Sequence, residues 1–334
     1  MKGQSHTARR KLSICFLITL FVWSVWFVFL GPISIINILQ TYWPITLTML
    51  FGSMVAGGTS MGGGAVAFPV LTKLLEVPPH EAKVFALAIQ SVGMTAATLT
   101  IIAMQTKIDW RLIWWASSGG LIGIVIGTLL LEPRLTPDFI RLSFTMMTSS
   151  FGLVMVFTQL RSSERCILHP FWGNQERAIW WITGFIGGTI SGLVGSGIDI
   201  FAFSVMVLLF QMCESISTFT SIALMAINAI AGFVLHGLFL KDFGFPVREY
   251  WLASVPIVVV GAPIGAVLFS YAQRHHVVII LLGLILTELV SSLLLIPLTW
   301  NSILASIFVL TGFLCFYTWI AYAQVINPGD KQKR

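Results

Sequence analysis

The stretch Gly57-Gly58-Thr59-Ser60-Met61-Gly62-Gly63-Gly64 lies inside an apolar run from about Pro44 to Leu75, and no other feature limits the fold as strongly. Glycine costs a helix about 1 kcal/mol per residue relative to alanine, so the cluster predicts an unwound helix. As one helix, the run would reach about 48 Å against a hydrocarbon core of about 30 Å. A single straight span does not fit. Either two half-helices cross with an unwound middle, or the segment enters, turns at the glycines and leaves on the same side. A second copy, Gly192-Leu193-Val194-Gly195-Ser196-Gly197-Ile198-Asp199, follows about 135 residues later.

The surroundings of these breaks are those of a membrane protein. Of 334 residues, 57% are hydrophobic and 10% charged, outside the range of ordinary globular domains. The net charge of +6 comes from basic residues standing singly at the ends of apolar runs, which argues against a nucleic-acid surface. Cys15, Cys166, Cys213 and Cys315 lie far apart and form no CxxC or Cys/His cluster, so neither a zinc site nor a dithiol redox site is indicated. The bland reading of the cysteines in apolar runs is a small hydrophobe.

Taken in order, the chain predicts an all-α polytopic membrane protein of about ten membrane segments, two of them broken by glycine, in two pseudo-repeats. Residues 1–43 form a basic tail and a retained extra helix, residues 44–160 a first repeat, and residues 161–177 a polar linker. Residues 178–298 form a second repeat, and residues 299–334 a further helix and a basic tail. The repeats match beyond the glycines: Arg111 and Trp114 pair with Arg248 and Trp251, and Gly123 and Gly127 with Gly261 and Gly265, at nearly the same offset. The paired glycines read as close helix packing. If the broken segments cross, 12 of the 19 Lys and Arg face the cytoplasm and the halves are parallel; if they re-enter, 13 do and the halves are inverted. Both arrangements place the two termini in the cytoplasm, and charge does not choose between them.

A half-helix beginning at Gly62, Gly63 and Gly64 would point unpaired N–H groups and the positive end of its dipole into the gap, a setting for a small oxyanion. Thr59 and Ser60 would add hydroxyl donors, and Gly195 and Gly197 mark the equivalent place in the second half. Asp199 is an intramembrane carboxylate: either a local cap on the half-helix, a proton- or cation-coupling group, or a direct solute contact. Glu288, the other intramembrane acid, relays protons, pairs with a basic residue or makes a structural hydrogen bond. Gln90, Ser91, Thr95, Thr220, Ser221 and Asn228 follow the breaks and either line a solute path or bond between helices. Lys83 reads as a snorkelling side chain, and Arg111 and Arg248 with their tryptophans as interfacial anchors. His236, His275 and His276 have no metal-ligand spacing.

Gly62-Gly63-Gly64 followed by Pro69, Leu71 and Pro78-Pro79 resembles the first-half signature of the TauE/SafE sulfite exporters, also called the TSUP family. The second half is similar to the same pattern through Gly192, Gly195, Gly197 and Thr220-Ser221. The resemblance covers roughly Ile45 to Leu295. Ser60 and Ile198-Asp199 stand where the family has glycines. It implies export or uptake of small, often sulfur-containing anions, coupled to an ion gradient.

The expected function is therefore secondary transport of a small inorganic or organic anion, a sulfur oxyanion or organosulfonate, across the cell membrane by alternating access. The partners are that anion and the lipid bilayer; no enzyme activity, cofactor, metal or nucleic acid is expected. The rivals are an anion channel and an intramembrane enzyme or assembly factor using Asp199 and Glu288 as an acid pair.

Overall fold

The computed structural model describes residues 2–61, 68–161, 172–272, 274–296 and 300–326. Its elements are all helices. They are α1 (Lys2–Thr41), α2 (Trp43–Gly58), a short π-helical return (Val70–Leu74), α3 (Pro79–Ala103), and α4 (Trp110–Ile126, continued by Gly127–Leu131). There follow α5 (Pro137–Arg161), α6 (Asn174–Val194), α7 (Ile198–Leu208) and α8 (Glu214–Val234, continued by Leu235–Leu240). The chain closes with α9 (Val247–Ser270), α10 (Arg274–Leu295) and α11 (Trp300–Ile326). Among the described residues, eight helices carry stretches long and apolar enough to cross a membrane, and α2 and α7 are too short to be among them. Eight spans and two broken segments make the ten segments expected.

Glycine positions define how the helices run against one another. Gly119, Gly123 and Gly127 on α4 face Trp181, Phe185 and Thr189 on α6, four residues further along at each step, so these helices run in the same direction. Gly57 and Gly58 on α2 face Ala262 and Phe269 on α9, another same-direction pair. The close approach expected of Gly123, Gly127, Gly261 and Gly265 is present at all four. A β-carbon there would run into Phe185 O, Thr189 O, Ser53 Oγ and Met54 O respectively. Helices in a bilayer gain little from burying apolar surface, so backbone-to-backbone packing of this kind is what holds them together.

The same contacts decide how the broken segments lie. Trp251 Nε1 donates to Ala88 O at 3.1 Å, and Gly93 meets Val258, so α3 runs with α9. Because α2 also runs with α9, α2 and α3 point the same way. The chain between them must come back. In the second half, Gly120 meets Asn228 and Ile124 meets Gly232, so α8 runs with α4, as α6 does. α7 is the return: Ile198 packs on Gly187, and Phe210 stacks on Trp180 with ring centroids 4.6 Å apart. α7 thus comes back beside its own entering helix, whereas the Val70–Leu74 return lies against α3 and α10.

α2 runs with α3 and α6 with α8, so the two entering helices point in opposite senses because α3 and α8 do. α3 and α8 pack antiparallel, with Leu87 against Gly232 and the His80 and His236 rings 5.9 Å apart. α5 and α10 do likewise, Thr145 meeting Glu288 and Ser292 while Gly152 meets Ile285. The halves also exchange partners, since α2 lies on α9 and α6 on α4.

The outer helices are held by fewer, specific bonds. Pro256 inside α9 has no N–H and leaves Leu252 O without its helical donor. Trp26 Nε1 of α1 donates to that carbonyl at 2.9 Å, and Trp23 Nε1 to Pro256 O at 2.8 Å. On α11, Tyr317 is fully buried among Phe151, Phe201 and Phe313. Cys213 is disulfide-bonded rather than a simple space-filling hydrophobe, and Cys315 is free and exposed.

Candidate functional site

The α6–α7 turn is built by residues the sequence singles out. Gly195 ends α6 at φ 85°, and its N–H bonds Ser191 O at 2.8 Å. Gly197 starts α7 at φ 147°, a conformation open to glycine and strained for any residue with a side chain. Ile198 N–H bonds Ser191 Oγ at 3.0 Å, so one serine satisfies a donor on each side of the reversal.

Asp199 sits in the first turn of α7. Its Oδ1 accepts from Gly197 N–H at 3.0 Å and from Ser196 Oγ at 3.4 Å. The carboxylate therefore occupies the positive end of the α7 dipole, where an exogenous anion would bind. This is capping geometry. It uses one oxygen only: Oδ2 is buried and has no hydrogen-bond partner.

Polar atoms without partners collect around this turn. Gln90 Nε2 donates to Gly195 O at 3.1 Å, leaving its Oε1 buried and unpaired. Asn228 is 1% exposed, and neither its Oδ1 nor its Nδ2 has a partner. Gly120 lies between Ile198 and Asn228, and Gly195 packs on the Lys83 backbone and Ala86, so α3, α4, α6, α7 and α8 meet here.

The first break is less completely defined. Thr59 Oγ1 donates to Val55 O at 2.9 Å and accepts from Met61 N–H at 3.4 Å, so this hydroxyl closes the end of α2. Ser60 Oγ is buried and unpaired. Gly62, Gly63 and Gly64 lie outside the described residues. Thr220 and Ser221 are spoken for: Thr220 Oγ1 accepts from Asp109 N–H at 3.3 Å, tying α8 to the start of α4, and Ser221 Oγ donates to Thr218 O at 2.8 Å.

Glu288 pairs with a basic residue, one of the roles open to it. Lys73, on the Val70–Leu74 return, places Nζ 2.9 Å from Glu288 Oε1 and also reaches Ser291 Oγ and Ser292 Oγ. Thr145 Oγ1 of α5 donates to the same carboxylate oxygen at 2.8 Å. Among the described residues, no hydrogen bond or ion pair joins Asp199 to Glu288. Lys73 was not singled out by the sequence reading, although a lysine inside the apolar run from Pro44 to Leu75 is itself a signal. Lys83 differs from expectation: its side chain is fully buried and paired with Glu132, so it does not snorkel to water. Arg111 stacks on Trp172 at 5.0 Å, and Arg248 is exposed beside Glu249.

Paired reversing segments inside an eight-span helical bundle, with buried polar atoms at the turns, define an integral membrane protein of the transporter class. A family model described as sulfite exporter TauE/SafE matches residues 45–322, and the chain belongs to that family. The match extends past the quoted motifs and takes in most of α11. The family is one of membrane transporters of sulfur anions. No curated protein and no solved structure matches the chain.

Proposed function

We propose that the chain is a secondary transporter that exports or takes up a small sulfur oxyanion or organosulfonate by alternating access, driven by an ion gradient. Residues 44–160 and 178–298 are its inverted repeats, 161–177 their linker, and 1–43 and 299–334 its flanking helices and tails. The reversing arrangement corresponds to the charge count with 13 of the 19 basic residues in the cytoplasm, and both termini lie there, in the cell membrane.

The observation that carries this reading is the group of buried, unpartnered polar atoms on Ser60, Gln90, Asn228 and Asp199, on segments adjoining the two reversals. Each such atom costs about 1–3 kcal/mol, so a chain that keeps several is keeping places for a ligand or its water. Asp199 already fills the anion position of α7. The solute therefore binds at the first break, Thr59 to Gly64, with Gln90 and Asn228 along its path. Asp199, through its open oxygen, is the ion-coupling group; Glu288 is already neutralised by Lys73 and holds the first return segment in place. Gly195 and Gly197 shape the second turn, and Thr220 and Ser221 hold α8.

Proteoliposomes loaded with radiolabelled sulfite, thiosulfate or sulfoacetate and given a pH gradient test the reading. Saturable, gradient-dependent flux of one of these anions is expected. Absence of such flux for all of them, with folded protein, rejects this substrate class; flux that does not saturate selects a channel.

A further inference from the structure

Five ionisable side chains meet at one end of the bundle, where α3 begins, α4 and α8 end, and the chain turns into α9. His80 Nδ1 lies 2.8 Å from Glu132 Oε1, and its Nε2 lies 3.1 Å from Asp242 Oδ2. Lys83, one turn along α3, pairs with the other oxygen of Glu132. His236 Nδ1 lies 2.9 Å from Asp242 Oδ2, and its Nε2 is buried without a partner. His80, Lys83 and Glu132 belong to the first half of the chain; His236 and Asp242 belong to the second. The group joins the two halves.

Its geometry specifies a proton. A neutral imidazole has one N–H donor and one lone pair, whereas both ring nitrogens of His80 face carboxylate oxygens. With neutral His80 and two ionised carboxylates, one contact sets lone pair against lone pair. One added proton turns both contacts into donor-to-acceptor bonds. The His80 side chain is 48% exposed, so that proton is exchanged with water, while Lys83 and His236 close the inner side at 0%. Lys83 also packs its backbone on Gly195, which places the group beside the turn carrying Asp199.

We propose that this group is a proton-binding latch: a proton held by His80 between Glu132 and Asp242 fastens the two halves at this end, and its release opens the end to water. The latch extends the transport reading by supplying a gate whose state depends on pH. The other charged and titratable groups nearby are Glu81 on α3, Arg134 after α4, Lys241 in the turn, Arg248, Glu249 and Tyr250 on α9, and Asp199 on α7. Arg134 donates to Leu130 O, and Arg248 pairs with Glu249. At the opposite end, among the described residues, Arg111 lies 3.6 Å from Asp109 on the same segment. There the start of α8 meets the start of α4 through Thr220 and the Asp109 N–H, a pairing that does not change with pH.

Spin labels at Glu81→Cys and Lys241→Cys, on either side of the latch and in a Cys315→Ser chain that removes the exposed free thiol, report its opening as an inter-label distance in protein reconstituted in lipid. In the otherwise unchanged chain, a shift to longer separation is expected as pH rises over about 5 to 8, the range of histidine titration. A His80→Lys background keeps a permanent cation between the carboxylates and is expected to stay short at every pH. A His80→Gln background is expected to populate the long separation even at low pH. Distances that do not respond to pH, or that respond equally in the His80→Lys background, overturn the latch. Anion flux in the same preparation separates the two proposals: pH-dependent opening without flux leaves the latch and removes the transport reading, and flux with pH-independent distances does the reverse. Size-exclusion profiles confirm folding, which the half-exposed position of His80 favours.

Discussion

Lys73 and Glu288 stand 215 residues apart and meet through Nζ and Oε1 at 2.9 Å, both side chains almost fully buried. The pair fastens the return segment of the first half to α10 of the second; Thr145 and Ser292 donate to the same oxygen, and Oε2 is buried without a partner. Desolvating two charges is expensive, so the pair is retained only where each ion compensates the other.

Removing either charge alone strands its partner. Lys73→Met and Glu288→Gln are each expected to lower stability by about 3–5 kcal/mol, while Lys73→Met with Glu288→Met recovers most of the loss. Thermal unfolding in detergent, analysed as a double-mutant cycle, measures the coupling. Additive losses would show that the two groups do not depend on each other.

The second prediction concerns helix packing. Gly184→Ala places a β-carbon on the Ala116 backbone at the α4–α6 crossing, and Gly265→Ala places one on Met54 O at the α2–α9 crossing. Overpacking there is expected to cost about 1–3 kcal/mol at each site. Gly283→Ala, with nothing within 4 Å, serves as the control and is expected to be neutral or slightly stabilising. Melting temperatures of the three variants decide it.

The positions of the breaks and the small-residue crossings were legible because glycine acts locally: Gly195 and Gly197 take backbone angles that other residues resist, and Gly123 and Gly265 admit a neighbouring backbone. The direction of the broken segments was not. That depends on which helices α2 and α6 lie against, and those partners belong to the opposite half of the chain. The same holds for charge. Lys83 beside Glu132, and His236 beside Asp242, look like unrelated residues near segment ends, and the antiparallel packing of α3 and α8 joins the two pairs through His80 and Asp242. A sequence shows which polar groups enter the membrane but not which of them find partners there. Thr220 and Asn228 lie on one helix as equally plausible site residues, yet the first is bonded and the second is not.

Asp199→Asn retains the amide oxygen that caps α7 and removes the charge. The cap bond to Gly197 N–H is expected to survive, so the folded protein is recovered at near-normal stability. Gradient-driven accumulation of the anion is expected to fall while exchange of internal for external anion continues. Comparing the two flux modes in proteoliposomes checks this, and undiminished accumulation confines Asp199 to its capping role.

Asn228 separates stability from function most directly. Both of its side-chain atoms are buried and unpaired, and a buried amide without partners costs about 1–3 kcal/mol. Asn228→Leu removes that cost while keeping similar volume, so the variant is expected to melt at a higher temperature than the parent. Gln90→Leu is expected to melt lower, because it also deletes the bond to Gly195 O that steadies the α6–α7 turn. If the unpaired atoms are kept for a passing anion and its water, both variants raise the concentration of anion needed for half-maximal flux. A stabilised Asn228→Leu protein with unchanged flux would place the solute path elsewhere in the bundle, whereas stabilisation joined to weakened transport ties the unpaired atoms beside Gly120 and Ile198 to the solute itself.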